Sequence, residues 1–393
     1  MINKLNKTTF KICILLLFFI ITISRLEINI AFAKEEMNSP SYLAMQYINN
    51  IESDEDGQLV YSFKHYNLAE SYLSKVTDAE VKNKLQFQLY SYAPRVFNEE
   101  LIKTLKEFTT LYYRKDIGTY ENIATNLIPK LENKVDKEYL LEELYNYGQI
   151  HVYSPEVIAS INAVSRAWED EAYIPKAEEI VVNELSYKNL WSMCYFQNQL
   201  NMIKAKLNND KEKILIIGDS LSLGMGAVYD GKDPLTTLER VWWRNLDQDR
   251  FQFSFTAIGG MGVIQQGLMN NIASERAIDM VKYAEATTEV KKDYDKVIIA
   301  LSTNDNWYLG SDYKLALREL VDYIKNNYKV KEFILLNFYA HENEMKEVAE
   351  ETNSKFLDVD MSKISKFNTE IDDFHPSAEG YSQIAELLRD QIR

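Results

Sequence analysis

The chain has 393 residues, of which 46% are apolar and 12% aromatic, enough for two domains with buried cores and too apolar for wholesale disorder. Its 44 basic and 59 acidic side chains give a net charge of −15, which disfavours nucleic acid and anionic membrane surfaces as partners. The two cysteines, Cys13 and Cys194, are too few for a disulfide framework or a cysteine-rich zinc site.

At the N-terminus, Lys4, Lys7 and Lys11 precede the apolar run Ile12 to Ile23, and Ala31-Phe32-Ala33 supplies small residues where a signal peptidase reads. This pattern predicts a secretory signal peptide over residues 1–33. The alternative is an uncleaved anchor extended through Ile28 to Phe32, but the apolar run is shorter than the roughly 20 residues that span a bilayer. Cleavage removes four cations and one anion, so the exported chain carries −18. Its one remaining thiol, Cys194, sits in the apolar stretch Trp191 to Phe196 and reads as buried filler.

Residues 34–210 predict an all-helical domain of unknown function. Thr77 and Glu80 form a capping box ahead of Val81, Leu85 and Leu89. Asn98 opens a helix with Leu101, Leu105, Phe108 and Tyr112 on one face, and Leu140, Leu144 and Tyr147 line another that stops at Gly148. Ser154-Pro155 starts a helix with Ile161, Val164 and Trp168 inward. The tyrosines fall mostly at core-facing positions, which favours packing over a sugar-binding face. Glu52, Asp54, Asp56 and Gly57 imitate the start of a calcium loop, but Phe63 stands where the bidentate glutamate belongs, so the stretch reads as a solvated acidic turn.

Ten of the 13 glycines lie after Lys211, and this shift places a domain boundary near residue 210. Over residues 211–393, short apolar strands are predicted at Lys213–Ile217, Phe251–Ala257, Lys296–Leu301, Glu332–Phe338 and Lys355–Val359, separated by longer, mostly helical segments. Strands alternating with helices predict an α/β fold: a three-layer α/β/α sandwich, flavodoxin-like, on a five-stranded parallel sheet in the order 2-1-3-4-5. In that order the carboxyl ends of strands one and three flank a crevice where polar residues converge.

Three loops supply that crevice: Gly218-Asp219-Ser220-Leu221-Ser222, Ala257-Ile258-Gly259-Gly260-Met261-Gly262, and Ser302-Thr303-Asn304-Asp305. A serine can attack a carbonyl, and a glycine amide and an asparagine carboxamide can donate to the oxyanion that results. A base is supplied by Asp372-Asp373-Phe374-His375-Pro376 before the last helix, where Asp372 can fold back onto one ring nitrogen of His375 and leave the other for the serine. Asp373 is the competing acid. His341, in Tyr339-Ala340-His341-Glu342, lacks a paired histidine or an HExxH pattern and reads as a rim or surface residue; no metal or other cofactor is expected.

These four blocks, in order over roughly Lys211 to Arg393, resemble those of the SGNH (GDSL) hydrolases. The resemblance implies Ser220 as nucleophile, His375 as base, Asp372 as its partner, and an oxyanion hole from the Ser220 amide, the Gly260 amide and the Asn304 side chain. Two departures stand out. Ser302 occupies the family's glycine position in the third block, and Gly259 and Gly262 compete with Gly260 as donor. The expected activity is a secreted serine esterase acting on an acyl ester, leading with the acetyl ester of a carbohydrate or cell-envelope polymer, with Trp307 and Tyr308 as pocket candidates. The alternatives are an O-acyltransferase using the same triad on a sugar hydroxyl, and a catalytically silent secreted binding or scaffold protein.

Overall fold

The computed structural model describes residues 39–392 apart from 53–60, 187, 208–209, 230–233, 236–237, 265–266, 270–271, 275, 289–291, 369–371 and 373. The signal segment 1–33, Asp54, Asp56, Gly57 and Asp373 therefore lie outside the described residues. The described residues form two compact units, one within 39–110 and 123–147, the other within 111–122 and 148–392.

The first unit is helical, with α1 (Pro40–Asn49), α2 (Phe63–Leu73), α3 (Ala79–Val96), most of α4 (Glu99–Arg114) and the larger part of α5 (Lys134–His151). Each apolar stripe turns inward as its spacing requires: Leu85 and Leu89 on α3, Leu101 and Phe108 on α4, and Leu140 and Leu144 on α5 are buried. The start of α2 is closed by the buried Asp136 carboxylate, which accepts from the Ser62 hydroxyl and from the Phe63 and Lys64 amides, each at 2.9 Å. Four local expectations are corrected. Asp78, not Thr77, caps α3, since its carboxylate accepts from the Glu80 and Val81 amides. Helix α5 continues through Gly148 to His151, because one glycine costs an established helix only about 1 kcal/mol. Tyr112 and Trp168 are exposed, one position past the buried Leu111 and Ala167.

The second unit holds α6 (Pro155–Glu169), capped by Ser154, then α7 (Ile174–Leu185) and α8 (Leu190–Lys206), and after them the sheet. The strands are β1 (Glu212–Gly218), β2 (Phe251–Ala257), β3 (Asp293–Ala300), β4 (Lys329–Asn337) and β5 (Lys355–Asp358), all parallel. Their order is 2-1-3-4-5, as the alternation predicts. Helices α9 (Ala277–Thr287), α10 (Gly310–Asn327), α11 (Glu342–Glu351) and α12 (Ala378–Arg389) alternate with or follow the strands. The C-terminal halves of β1, β3 and β4, at Ile214–Ile217, Val297–Ala300 and Phe333–Leu336, are apolar and buried without alternation because helices flank a parallel sheet, whereas their first residues are charged. After the second block, Gly267–Met269 pairs antiparallel with Ile272–Ser274, and α9 starts at Ala277.

The boundary expected near residue 210 is not where the units part. Helix α8 lies along the open edge of β2 and closes it. The Gln197 carboxamide pairs with the N–H and C=O of Ala257 at 3.2 and 2.9 Å, and the Asn201 carboxamide pairs with those of Phe255 at 3.2 and 2.8 Å. Lys204 donates to the Phe253 carbonyl and to Glu178. Side chains four residues apart on a helix thus provide the paired bonds that another strand would supply. Cys194 is buried in the same helix, and burial pushes its thiol up to about 12, which bears out packing over reactivity.

Candidate active site

The nucleophile candidate stands where β1 ends. Asp219 caps the single helical turn Ser220–Leu223 by accepting the Leu221 amide at 3.0 Å, which leaves Ser220 at the first helical position. Gly218 is required just before it, since a β-carbon there would lie 2.0 Å from the Ser222 hydroxyl. After the turn, Gly226 takes a left-handed φ of 89° and packs directly on the histidine loop, where its own β-carbon would meet that of His375 at 2.7 Å.

That loop brings Asp372, His375 and Ser220 into one hydrogen-bonded line. His375 Nε2 lies 3.0 Å from Ser220 Oγ, and Nδ1 lies 2.7 Å from Asp372 Oδ2. The second oxygen of Asp372 accepts the His375 and Phe374 amides at 2.7 and 2.9 Å, so the short loop is locked around its own carboxylate. Burial pushes the Asp372 carboxyl up, but the His375 amide and ring and the Phe374 amide outweigh it, and the group stays below the usual aspartate range. An ionised Asp372 that accepts from Nδ1–H leaves Nε2 as the acceptor for the serine proton.

The donors expected to face an oxyanion lie on the neighbouring loops. Among the three glycines, Gly260 is the one with a left-handed φ, 78°, and it has open space where a β-carbon would be; its N–H bonds to no other described residue. The Ser220 N–H is likewise without an acceptor among the described residues. Gly262 has a different purpose: a β-carbon there would lie 2.4 Å from Asp305 Oδ1, so only glycine admits the carboxylate that accepts the Val263 and Ile264 amides at 2.7 and 3.3 Å. Asn304 Nδ2 donates to Asp219 Oδ2 at 3.1 Å and to the Met261 carbonyl at 3.0 Å, tying the three loops together. Asp219 is fully buried, and burial first, then the charge of Asp305, push its carboxyl up to about 7.

Trp242 and Trp243, in the segment between β1 and β2, are core residues, Trp243 donating to the Ser222 carbonyl at 2.8 Å. Trp307 is 86% exposed on the Asn304 loop, and Tyr308 beside it is half-buried. His341 is not a rim residue. Its side chain is only 8% exposed, stacked on Tyr313 with ring centres 4.1 Å apart, and Nε2 reaches the Asp305 carbonyl at 2.8 Å. Among the described residues no cluster of three or more potential metal ligands occurs. Asp219, Asp305 and His341 do not read as parts of the site in the sequence because a buried carboxylate or a lone histidine has no fixed spacing; the available signals are that Asp219 and Asp305 adjoin the motif residues Ser220 and Asn304 and that His341 lies in the turn after β4.

No curated protein matches the chain by sequence. Among solved structures, an active-site mutant of a family two carbohydrate esterase from Clostridium thermocellum aligns with 46% of this chain at 18% identity and a TM-score of 0.38, and the match spans 63% of that esterase's length. A carbohydrate acetylesterase family member from Sinorhizobium meliloti is 15% identical over 46% of this chain and 97% of its own, with a TM-score of 0.38. A carbohydrate esterase family 2 enzyme with its carbohydrate-binding domain, from Corynascus thermopiles, is 21% identical over 48% and 67%, with a TM-score of 0.40. Residues 296–388, which carry the third and fourth sequence blocks, match the GDSL-like lipase/acylhydrolase family.

Proposed function

We propose that the protein is a serine esterase in which Ser220, His375 and Asp372 act as the triad, and the Ser220 and Gly260 amides with the Asn304 carboxamide stabilise the oxyanion. The observation that carries this reading is the unbroken line from Asp372 Oδ2 through the His375 ring to Ser220 Oγ, at 2.7 and 3.0 Å. His375 Nε2 takes the hydroxyl proton as Oγ bonds to the ester carbonyl carbon, and the carbonyl electron pair moves to the oxygen facing the amides. Collapse breaks the bond to the alkoxy oxygen, which leaves with the proton from His375. Water then attacks the Ser220 ester by the same steps in reverse, releasing the acid and restoring the hydroxyl.

The substrate we propose is an acetyl ester on a neutral carbohydrate or cell-envelope polymer. An exposed indole on the loop that carries Asn304 suits a sugar face, and the net charge of −18 on the chain without residues 1–33 repels an anionic surface. Residues 1–33 would direct the chain out of the cell, with Lys34 as the first residue of the exported form, a start that N-terminal sequencing of secreted protein would reveal.

The test is to incubate purified protein with p-nitrophenyl acetate and with a serine-reactive phosphonate, beside a Ser220→Ala variant. Turnover and labelling that both vanish with Ser220 support the esterase. Neither turnover nor labelling in the unsubstituted protein overturns it in favour of a silent binding protein. Release of acetate from an acetylated polysaccharide, against acetyl transfer to an added sugar, separates hydrolase from transferase.

A further inference from the structure

The four sequence blocks leave out the turn that follows β4, Phe338-Tyr339-Ala340-His341, yet this turn grips both sides of the site. Toward the oxyanion loop, the Phe338 amide donates to the Ser302 hydroxyl at 3.1 Å, and His341 Nε2 bonds to the Asp305 carbonyl at 2.8 Å. A carbonyl only accepts, so Nε2 carries the proton in that bond. Ser302 holds the position where the resembling family has glycine, and its buried hydroxyl is the anchor for Phe338. Toward the histidine loop, the Tyr339 hydroxyl donates to the Phe374 carbonyl at 2.6 Å. The Tyr339 ring also stacks on Phe374 with centres 4.2 Å apart, and Phe374 in turn stands edge-on to the His375 ring at 5.2 Å.

The turn is held at a cost in backbone conformation. His341 adopts φ 60° and ψ 30°, a left-handed geometry that a residue with a side chain seldom takes. The ring stacked on Tyr313 and the bond to Asp305 keep it there, and Glu344 Oε2 lies 3.8 Å from the other ring nitrogen. Such a conformation persists only where the surroundings over-determine it, and it clusters at places where position matters. We propose that the Phe338–His341 turn is a positioning bracket, with His341 and Tyr339 as its two grips, that sets the separation between the Asn304 loop and His375 during acyl transfer. The inference rests on the esterase reading. Misplacing reacting groups by about 1 Å can cost on the order of a hundredfold in rate, so a small loosening of either grip is readable in kcat.

Three variants of the full chain test it on p-nitrophenyl acetate, alongside their melting temperatures. His341→Phe keeps a ring against Tyr313 but deletes the N–H donor, and kcat is expected to fall about tenfold with KM within about twofold. His341→Gln returns an N–H near the same reach and is expected to recover to within about threefold of the unsubstituted protein. Tyr339→Phe deletes only the hydroxyl and is expected to lower kcat about threefold. Phosphonate labelling of Ser220 should slow in parallel, since it uses the same donors. The bracket is overturned if all three turn over at the unsubstituted rate, if Gln is as slow as Phe at position 341, or if lost activity only follows lost melting temperature. An unsubstituted protein that neither turns over nor labels overturns the esterase reading and the bracket with it, whereas an active protein with indifferent variants overturns the bracket alone.

Discussion

Asp219 joins the nucleophile turn to the oxyanion loop, accepting the Leu221 amide on one oxygen and the Asn304 carboxamide on the other. Burial, and then the charge of the neighbouring Asp305, push its carboxyl up to about 7, well above the 3.8 of a solvated aspartate. The folded state therefore binds a proton that the unfolded chain releases between about pH 4 and pH 7, and stability falls as pH rises through that window and levels off above it. The expected contribution is on the order of a few kcal/mol. Asp219→Asn should flatten this dependence, read from urea midpoints at pH 5 and pH 8; an unchanged slope would assign the burden elsewhere. Asn304, the other end of the same contact, has N–H groups directed at Asp219 and Met261, so donation to a substrate oxygen exchanges one of those bonds. Asn304→Ala should lower kcat on the order of 10²–10³-fold with little change in KM, as the loss of one side-chain donor to an oxyanion does. Full activity in that variant would leave the two backbone amides as the whole hole. At this scale the sequence is legible where a motif fixes spacing, as for Asp372 and His375 three residues apart on one loop. It is silent on Asp219's environment, because burial beside Asp305 comes from residues that are 86 positions away in the chain and meet only once β1 and β3 are paired.

Among the elements, the strands were the most readable, because a strand covered on both faces is a short unbroken apolar run, and β2 lies at the expected Phe251–Ala257. Helix caps were less so: Thr77 and Asp78 are adjacent acceptors, and only the backbone at 78 decides between them. Helix α8 is legible as a helix but not as the partner of a strand. It is buried nearly all round, and a run containing Trp191, Met193, Phe196 and Leu200 looks like any core helix. The unread signal was the polar row Gln197, Asn201 and Lys204 inside that apolar helix, one face whose groups had to find buried partners. Asn201→Leu retains the helix and its volume but strands the N–H and C=O of Phe255 on the edge of β2. The expected loss is about 2–3 kcal/mol, a drop of roughly 5–10 °C in melting temperature for a unit of this size. A change within about 1 °C would mean that the edge needs no cover.

At the scale of the whole molecule, glycine density marks a change of class and not a change of unit. Glycines gather where a parallel sheet turns its chain tightly, as at Gly218, Gly226 and Gly260, whereas α6, α7 and α8 contain none although they belong to the same compact unit as the sheet. A chain beginning at Lys211 would retain every motif residue, yet lose Gln197, Asn201 and Lys204 from β2 and the buried Glu178 that accepts from Lys204 and Arg244. It would also lose residues 111–122 of that unit, where Asp116 accepts the Tyr283 hydroxyl of α9 and the Ile117 amide meets Ser192 of α8. An open β2 edge exposes unpaired backbone to other chains, and the apolar residues under α8 would face water. The fragment 211–393 is therefore expected to be insoluble, or to lack a cooperative thermal transition and phosphonate labelling, beside a full chain that melts cooperatively and labels. A soluble fragment that melts in one transition and labels at Ser220 at the full-chain rate would place the boundary at residue 210 after all, and would reduce α6 to α8 to a covering that the site does not need.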